Sequence, residues 1–481
     1  MSITKNGIIF ENEYCKDVIG LQAGYNFGST LIIPDGVEDI SAQRKNFHIP
    51  ESVKKLVIPA SLKFMDYPLF SGSDIEEIIL KEGFITIFEN MFSDTHFLKS
   101  VSVPSSLKII KARAFANSAI RTFDFKNVEI IGKEAFSFSE LSHAYLPPSV
   151  KKIEPFAFTF SALKSVVIDA SLESGKIPSS CFENCKRLID CKINSKYIST
   201  ICEDAFRNTF LKSFHVPGTV EVIENNAFSF CENLETFEIE NGLVSISDSV
   251  FEQSAIEKLT FPKSVRYFGM TCYHMPCLKT LIINAEAEEL PRRFASGCEK
   301  LENLILSPSI KRLELGCFYN TGLTDFETPR TLEIIDNSAF SNCRKLRKIK
   351  ISKNIKYIGP NAFANCPELL IALMDTIIIA EPIFGILEDA KRTSFTNENF
   401  VLLLSEKLAS ETSTDFYKNY NKNFVVYNAE KQDDYDTYFG AEKEEIIEFF
   451  EGKDETSQAD ELVKSGKISF RDYCKIIENN K

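Results

Sequence analysis

Histidine, cysteine and carboxylate residues are the side chains most able to do chemistry in this 481-residue sequence, and their spacing indicates no active site. The five histidines have no metal-site spacing and no paired cysteine or carboxylate motif; they are His48, His96, His143, His215 and His274. The sequence also lacks a P-loop, a dinucleotide-binding glycine motif and the G-x-S-x-G motif of hydrolases. We therefore expect a protein that is not an enzyme, with no catalytic residue, no metal and no cofactor, and a small-molecule substrate is not expected.

One acidic segment carries a weak signal for calcium binding. Asp434, Asp436 and Glu445 have part of the spacing of a calcium loop, but Phe439 stands where such a loop needs glycine. A solvated acidic helix surface is the better interpretation. The formal net charge of −13 also argues against nucleic acid as a partner, because nucleic-acid-binding proteins usually carry a basic surface.

The thirteen cysteines favour free thiols over disulfide bonds. Several of them occur three residues after an aromatic residue, where other parts of the sequence have serine or threonine: Cys185, Cys231, Cys343 and Cys366. A position shared by these three residue types requires a small, weakly polar side chain, and reduced cysteine meets that requirement. No apolar run is long enough for a signal-peptide core or a membrane span, so we expect a cytoplasmic location.

An aromatic residue recurs at intervals of 21 to 24 residues through most of the sequence. The fifteen positions are Phe70, Phe92, Phe115, Phe136, Phe158, Phe182, Phe206, Phe228, Phe251, Tyr273, Phe294, Phe318, Phe340, Phe363 and Phe384. Such a period is typical of a repeat protein whose coils stack on one another. We expect these aromatic residues to be structural anchors of the repeat, since no single coil can bury its own apolar side.

Each repeat contains two extended pieces and a turn. The first piece has the pattern Leu-x-x-Φ-x-Φ, where Φ is apolar, as in residues 211–216, and this alternation predicts a short strand with one buried face. Proline often follows and ends the strand. The second piece, such as residues 220–223, leads into what we expect to be a tight helical turn that directs the aromatic residue inward.

The combined pattern L-x-x-I-x-I-P-x-S-V-K-x-I-x-x-x-A-F-x-x-C resembles the leucine-rich repeat of the BspA-like, or Treponema pallidum, type. Residues 150–158 and 355–366 fit it closely, and the resemblance covers residues 30 to 384, with the phase lost at 171–182 and 285–294. It implies a curved, mainly β leucine-rich-repeat solenoid with a parallel sheet along the concave face and short helical turns. It also implies a role in adhesion or binding at a cell surface.

We expect three segments in the chain. Residues 1–30 would form an N-terminal cap and residues 31–384 a solenoid of about fifteen repeats. Residues 385–481 would form an acidic α-helical domain, because their apolar residues have helical spacing: Phe400, Leu403, Leu404 and Leu408, then Ile446, Ile447 and Phe450.

The solvent-facing positions of the predicted strands are the candidate binding surface. Polar side chains there would either decorate a solvated sheet or, with exposed apolar residues among them, bind a partner. The candidate residues are His143, Tyr145, Val167, Lys192, His215, Glu238, Lys258, Ile282 and Ile305. A non-catalytic protein-interaction scaffold is the favoured function. The alternatives are an effector or enzyme with its activity in the C-terminal domain, and a surface adhesin without a recognisable export signal.

Overall fold

The computed structural model describes residues 2–40, 47–65, 68–352, 354–367 and 369, together with the backbone of three further strands at 371–374, 401–405 and 424–427. Within these residues the chain forms a β-solenoid of about fourteen turns and has no α-helix. The fifteenth predicted aromatic, Phe384, lies outside them. The chain divides into two compact units, unit 1 (Met1–Ile256) and unit 2 (Glu257–Lys481), and each is described by itself.

Each coil contains a longer strand, a shorter strand and a turn. Residues 211–228 show why the sequence folds in this way. The strand Ser213–Val216 buries Phe214 and Val216 and exposes the residues that alternate with them. Pro217 follows directly and ends the strand, because it has no N–H group to donate.

The longer strands of successive coils lie side by side, parallel and in register. In unit 1 they form three groups: β4 (Thr30–Ile32), β6 (Lys55–Ile58), β8 (Glu77–Leu80) and β10 (Ser100–Ser102); β13 (His143–Leu146), β15 (Ser165–Ile168) and β17 (Asp190–Ile193); β19 (Ser213–Val216) and β21 (Thr236–Ile239). In unit 2 they form two groups: β23 (Lys258–Phe261), β25 (Thr280–Ile283) and β27 (Asn303–Ile305); β29 (Asp325–Glu327), β31 (Lys348–Lys350), β33 (Ile371–Met374), β34 (Val401–Ser405) and β35 (Phe424–Tyr427). We call the solvent-facing side of these strands the long-strand face.

The shorter strands form a second set of parallel sheets. In unit 1 they are β5 (Asp39–Ile40), β7 (Phe64–Met65), β9 (Thr86–Ile87), β11 (Ile109–Ile110), β12 (Ile130–Ile131), β14 (Lys152–Ile153), β16 (Lys176–Ile177), β18 (Thr200–Ile201), β20 (Val222–Ile223) and β22 (Ser245–Ile246). In unit 2 they are β24 (Tyr267–Phe268), β26 (Glu289–Leu290), β28 (Arg312–Leu313), β30 (Ile334–Ile335) and β32 (Tyr357–Ile358). The core of each unit lies between the two sets of sheets and the turns.

The N-terminal segment differs from the repeats. Strands β1 (Ile3–Lys5), β2 (Ile8–Phe10) and β3 (Asp17–Leu21) pair antiparallel in that order, and β3 then pairs parallel with β5. The segment expected to act as a cap therefore extends the shorter-strand sheet at its N-terminal end.

Most of the predicted C-terminal helical domain lies outside the described residues. Within residues 385–481 the structure gives two strands, β34 and β35, which continue the parallel sheet from β33. Leu403 and Leu404, whose spacing favours a helix, lie in β34, so the helical prediction is wrong at that point. A continuous run of four apolar residues, 401–404, fits a strand of a parallel sheet as well as a helix, and periodicity alone does not separate the two.

The turns are not the short helices that the sequence predicts. In most coils the residues two before and two after the aromatic residue have positive φ, as in Arg113 (53°) and Asn117 (55°) around Phe115. The N–H groups of these three residues all donate to carbonyls of the next coil, at 2.9, 2.8 and 2.7 Å. Left-handed residues on both sides of the aromatic residue thus let the turns join coil to coil, which a helical turn bonded within itself would not do.

The aromatic residues form a stacked ladder in the core. From Phe70 to Phe251 in unit 1, neighbouring rings lie 5.2 to 6.5 Å apart between centroids, with interplanar angles of 7° to 28°. In unit 2 the ring of Phe340 stacks with those of Phe318 and Phe363, both at 5.6 Å. The anchors named from the sequence have fully buried side chains: Phe115, Phe136, Phe158, Phe206, Phe228, Phe251, Phe340 and Phe363.

Two predicted ladder residues, Tyr273 and Phe294, are each one position out of register. In each coil, the N–H of the ladder residue donates to the carbonyl of the residue that directly precedes the ladder residue of the next coil. By this criterion the ladder residues of these two coils are Cys272, in place of Tyr273, and Ala295, in place of Phe294. Phe294 is buried but packs edge-on against Phe268, with ring centroids 5.1 Å apart, and Tyr273 is only half-buried. The aromatic ladder is therefore interrupted in the first two coils of unit 2.

The position three residues after the ladder is a small, weakly polar site in most coils, and Met275 is an exception. Ser118 and Thr209 donate to the ladder carbonyl of their own coil at 2.8 and 2.9 Å. Cys185 and Cys231 donate to the ladder carbonyl one coil earlier at 3.1 and 3.2 Å. Burial raises the pKa of Cys185 to about 12 and that of Cys231 to about 11, so both thiols stay protonated and unreactive at neutral pH. All the cysteines of the described residues are free thiols.

Alternating charges connect successive coils before the shorter strands. Glu129 lies between Lys108 and Lys151 at 3.1 and 3.4 Å, and hydrogen bonds from these two lysines, Lys108 first, lower the pKa of the carboxyl. Glu38 is held in the same way between the lysines of its two neighbouring coils. Each exposed ion pair contributes little to the stability of the fold. Because the pairs join matching positions of adjacent coils, however, they disfavour a shift in the strand register.

Candidate interaction surface

The long-strand face collects the predicted binding residues of unit 1. Tyr145, Val167 and Lys192 are direct neighbours on β13, β15 and β17, because the parallel register pairs them. Tyr145 is 53% exposed, and the residues that alternate with it in β13 are buried. The sequence correctly places these side chains on the solvent side of the sheet.

Tyr145 is held in place by a hydrogen-bond chain. Its hydroxyl donates to Asp169 at 2.8 Å, and Asn194 of the following coil donates to the other oxygen of the same carboxylate at 2.9 Å. The bond to Asp169 raises the pKa of the Tyr145 phenol. The result is an exposed aromatic ring with a fixed orientation beside Val167.

Both predicted histidines of this face also have partners. The imidazole of His143 is hydrogen-bonded to the hydroxyl of Ser165 at 2.7 Å. His215 lies between two carboxylates, Glu238 at 3.5 Å and Glu240 at 3.0 Å. The N–H of Gly218 and the imidazole of His215 both lower the pKa of Glu240, the former more. The face around Tyr145 therefore has a polar side rich in carboxylates.

In unit 2 the predicted residues form an aliphatic pair and a separate cation. Ile282 and Ile305 are direct neighbours on β25 and β27, and Ile305 is 54% exposed. Lys258 is exposed in β23 and is paired in register with Thr280, so it lies beside a different position of the face. The structure thus brings the two isoleucines together, whereas Lys258 lies beside Thr280, two residues before Ile282 in strand register.

A third apolar group on this face was not predicted from the sequence. Ile32, Val57 and Ile79 are neighbours in register on β4, β6 and β8, and Ile32 is 55% exposed. They occupy the same strand position as Tyr145 and Ile305. The signal was present in the sequence, because the column of solvent-facing strand residues extends through these three coils.

The described residues contain no group of three or more histidine, cysteine or carboxylate side chains that could hold a metal ion. In this part of the chain, no helical segment has the length and hydropathy needed to cross a bilayer.

Comparison with known sequences decides the family. The sequence model described as "BspA type Leucine rich repeat region (6 copies)" matches residues 25–142, 124–229, 151–277, 199–314 and 271–385, which together make up more than half of the chain. The chain belongs to the BspA-type leucine-rich-repeat family. This confirms the resemblance predicted from the repeat pattern and identifies the solenoid as a leucine-rich-repeat solenoid. A search of curated protein sequences gave no significant match.

Solved structures resemble this BspA-type chain at low sequence identity. A leucine-rich repeat protein from Bacteroides ovatus is 22% identical with a TM-score of 0.54, over 78% of this chain and 94% of that one. A leucine rich cell surface protein from Faecalibacterium prausnitzii is 19% identical with a TM-score of 0.36, over 79% and 95%. The pneumococcal vaccine antigen PcpA is 17% identical with a TM-score of 0.36, over 89% and 99%. The likeness to the Bacteroides ovatus protein shows a shared fold.

Proposed function

We propose that this protein is a non-catalytic interaction scaffold that binds a partner protein through the long-strand face. The observation that carries the proposal is the set of solvent-facing apolar side chains in register. Exposed Tyr145 lies beside half-buried Val167 in unit 1, and exposed Ile305 lies beside half-buried Ile282 in unit 2. Each pair lies on strands whose other side faces the core. A rigid sheet with exposed apolar residues and a polar surround is the usual composition of a protein-binding site.

The unit 1 site is pre-organised for binding. Asp169 and Asn194 fix the ring of Tyr145 before any partner arrives, so little conformational entropy is lost on association. Lys192 on β17 and Glu238 on β21, both on the C-terminal side of β13 in the stack, provide charges of opposite sign for the rim. A partner would bury the ring of Tyr145 and align its own charges with this rim.

Site-specific photo-crosslinking tests the proposal. A benzophenone amino acid at Tyr145 or Ile305 should crosslink, in the cells that make the protein, to one or a few partners that mass spectrometry can identify. Tyr197 is 53% exposed and Leu315 is 46% exposed, and both lie off the long-strand face, so they are matched controls. Identical crosslinked products from the controls and the test positions would contradict the assignment to this face.

We also propose that the protein works in a reducing compartment such as the cytoplasm. The support is the fit of thiols to the small polar site, where Cys343 accepts or donates a hydrogen bond with Thr321 at 3.1 Å and donates to the carbonyl of Phe318 at 3.3 Å. Acid quenching of the source cells, followed by alkylation under denaturing conditions and mass spectrometry, should find these cysteines reduced. Disulfide-linked peptides would instead favour the surface adhesin.

A further inference from the structure

Basic side chains follow one coil of unit 2 from its turn to its shorter strand. The segment 344–356 contains seven basic residues and no acidic one. We call these seven residues the basic stripe: Arg344, Lys345, Arg347, Lys348, Lys350, Lys353 and Lys356. Lys353 lies outside the described residues. The stripe begins before β31, includes two residues of this strand and ends directly before β32, so it extends past both ends of β31.

Part of this positive charge is paired with carboxylates of earlier coils. Three lysines of the stripe have such a partner: Lys345 with Glu302 at 3.6 Å, Lys350 with Glu327 at 3.2 Å, and Lys356 with Glu333 at 2.8 Å. The two arginines are exposed, and no carboxylate of the described residues forms an ion pair with either of them. The stripe therefore keeps charged donors on its surface.

The position of Arg347, directly before the longer strand, shows the contrast with other coils. Elsewhere a lysine at this position is paired with a glutamate one coil earlier: Lys99 with Glu76 at 2.5 Å, and Lys279 with Glu257 at 2.7 Å. The N–H of Arg347 donates to the carbonyl of Thr324, so an uncharged residue stands where those coils have glutamate. The preceding coil thus supplies no carboxylate for this guanidinium group at the matching position.

The complementary charge lies in the C-terminal part of the same unit. Residues 430–461 contain thirteen acidic and three basic residues; we call them the acidic segment, and they lie outside the described residues. Residues 257–384 carry a net charge of +3, from 17 basic and 14 acidic residues, whereas residues 1–256 carry −8, from 25 basic and 33 acidic residues. Among the repeats, net positive charge for the acidic segment is therefore found in unit 2.

The chain enters the acidic segment close to the basic stripe. β31 and β35 belong to one parallel sheet and are three strand spacings apart, which is about 14 Å. The register aligns Lys350 with Val425 through β33 and β34, so Tyr427 leaves the sheet at the edge where β31 also ends. Asp433 is six residues beyond Tyr427, and six extended residues span up to about 20 Å. Later acidic residues have the longer chain needed to reach the arginines at the opposite edge.

We propose that the acidic segment docks on the basic stripe of the same molecule and pairs its carboxylates with Arg344 and Arg347. The planar guanidinium group of arginine binds a carboxylate through two parallel N–H···O hydrogen bonds. Each exposed pair contributes little, so the contact depends on several pairs formed together, and salt weakens it. This contact does not involve Ile282 or Ile305 of the proposed partner site.

Carbodiimide crosslinking of the full chain tests the proposal, because this reagent joins a lysine amine to a carboxylate that contacts it. The reaction is run in about 0.01 M and about 1 M salt, where charges are screened beyond about 30 Å and about 3 Å. A mixture of isotope-labelled and unlabelled chains separates crosslinks within one molecule from crosslinks between two copies. Mass spectrometry identifies the joined peptides and their yields.

The test variant is Arg344→Glu with Arg347→Glu, which leaves every crosslinking lysine of the stripe in place. The matched control is Lys263→Glu with Lys300→Glu, since both lysines are exposed residues of other coils of unit 2 and the change in net charge is the same. Amide hydrogen exchange across β25 and β27 checks that both variants keep the fold. If the test variant does not, the salt dependence of the wild type decides the outcome.

In low salt the wild type should give crosslinks between lysines of the basic stripe and the acidic segment within one molecule. The test variant and high salt should each lower their yield about fivefold or more, whereas the control variant should keep it. An equal yield in the folded test variant and the wild type, or a yield that high salt leaves unchanged, would overturn the proposal. Crosslinks found only between labelled and unlabelled chains would identify a second copy as the occupant and overturn the contact within one molecule.

Discussion

The ladder phenylalanines are the residues on which the stability of each coil depends most. Phe228 is fully buried and contacts the rings of Phe206 and Phe251 above and below, as well as Phe214 and Phe237 of the longer strands. Such a ring contributes both its own burial and the packing of its neighbours.

We expect Phe228→Ala to lower the free energy of unfolding by roughly 3–5 kcal/mol, because it removes a buried ring and leaves a cavity between four others. Chemical denaturation measures the change. Phe97→Ala is the control, since Phe97 is largely exposed and should change stability by less than about 1 kcal/mol. Equal stability of the two variants would show that the ladder rings do not support the core.

Asp204 is a second residue whose substitution should change the free energy of unfolding, in the direction opposite to that of Phe228→Ala. One of its carboxylate oxygens is buried without a hydrogen-bond partner, and desolvation, followed by the charge of Glu183, raises its pKa. A carboxyl whose pKa is raised on folding destabilises the folded state at neutral pH, and protonation removes that penalty as the pH falls through the raised pKa.

We therefore expect Asp204→Asn to stabilise unit 1 by roughly 0.5–1 kcal/mol at pH 7. Asparagine fits the backbone, because Asn90 and Asn226 occupy the equivalent left-handed position in other coils. The gain should disappear below about pH 4, where aspartate is protonated in both states. Urea titrations at pH 7 and pH 3 measure it, and a gain that is the same at both values would exclude the ionisation as its cause.

Single residues also show where sequence reasoning reaches its limit. The aromatic period predicted most ladder residues correctly, but it assigned Tyr273 and Phe294 to the ladder because they are aromatic. Hydrogen-bond register, not residue type, determines the position, and it places Cys272 and Ala295 there. In most coils alanine precedes the ladder phenylalanine, and the reversed order Phe294-Ala295 was a signal that the period alone could not detect.

Among the structural elements, the strands could be predicted from alternation and the turns could not. Alternation of apolar and polar residues depends only on which face is buried, so the strand Ser213–Val216 and its exposed His215 follow from the sequence. The left-handed residues of the turns include Glu134 and Arg113, which have no local preference for that conformation. Coil-to-coil hydrogen bonds impose it, and these are tertiary contacts that a local pattern does not contain.

Close backbone contact between the turns of adjacent coils leads to a testable prediction for Gly242. Gly242 has φ 144°, and a Cβ atom there would overlap with the backbone of Gly218 one coil earlier. We expect Gly242→Ala to cost at least about 2 kcal/mol of unfolding free energy, from backbone strain and steric overlap together. Gly72→Ala is the control, because Gly72 also has positive φ (67°) but has open space around it, and about 1 kcal/mol is expected. Equal costs would show that the contact with Gly218 is not limiting.

For the whole molecule, the repeat architecture predicts that damage stays local. Each coil contacts mainly its neighbours, so stability is close to a sum of coil and interface terms. We expect Phe340→Ala to speed amide hydrogen exchange in the coils of unit 2 around residue 340 and to leave exchange in unit 1 unchanged. Hydrogen-exchange mass spectrometry measures this with peptide resolution, and uniform acceleration across both units would indicate a single cooperative fold instead.

The hydrogen bonds that join one turn to the next run in one direction. In every coil of unit 1 from Asn90 to Phe230, the N–H groups of the ladder residue and of the residues two before and two after it point to the following coil, and the carbonyls that accept them point back. Aligned peptide dipoles add, as they do along a helix axis, so the turn side of a unit is polarised along its stacking direction. Its C-terminal end presents donors and carries partial positive charge, whereas its N-terminal end presents acceptors. A segment that covers the C-terminal end must supply oxygen atoms, and growth of the stack by one more coil is electrostatically favoured only in the same orientation.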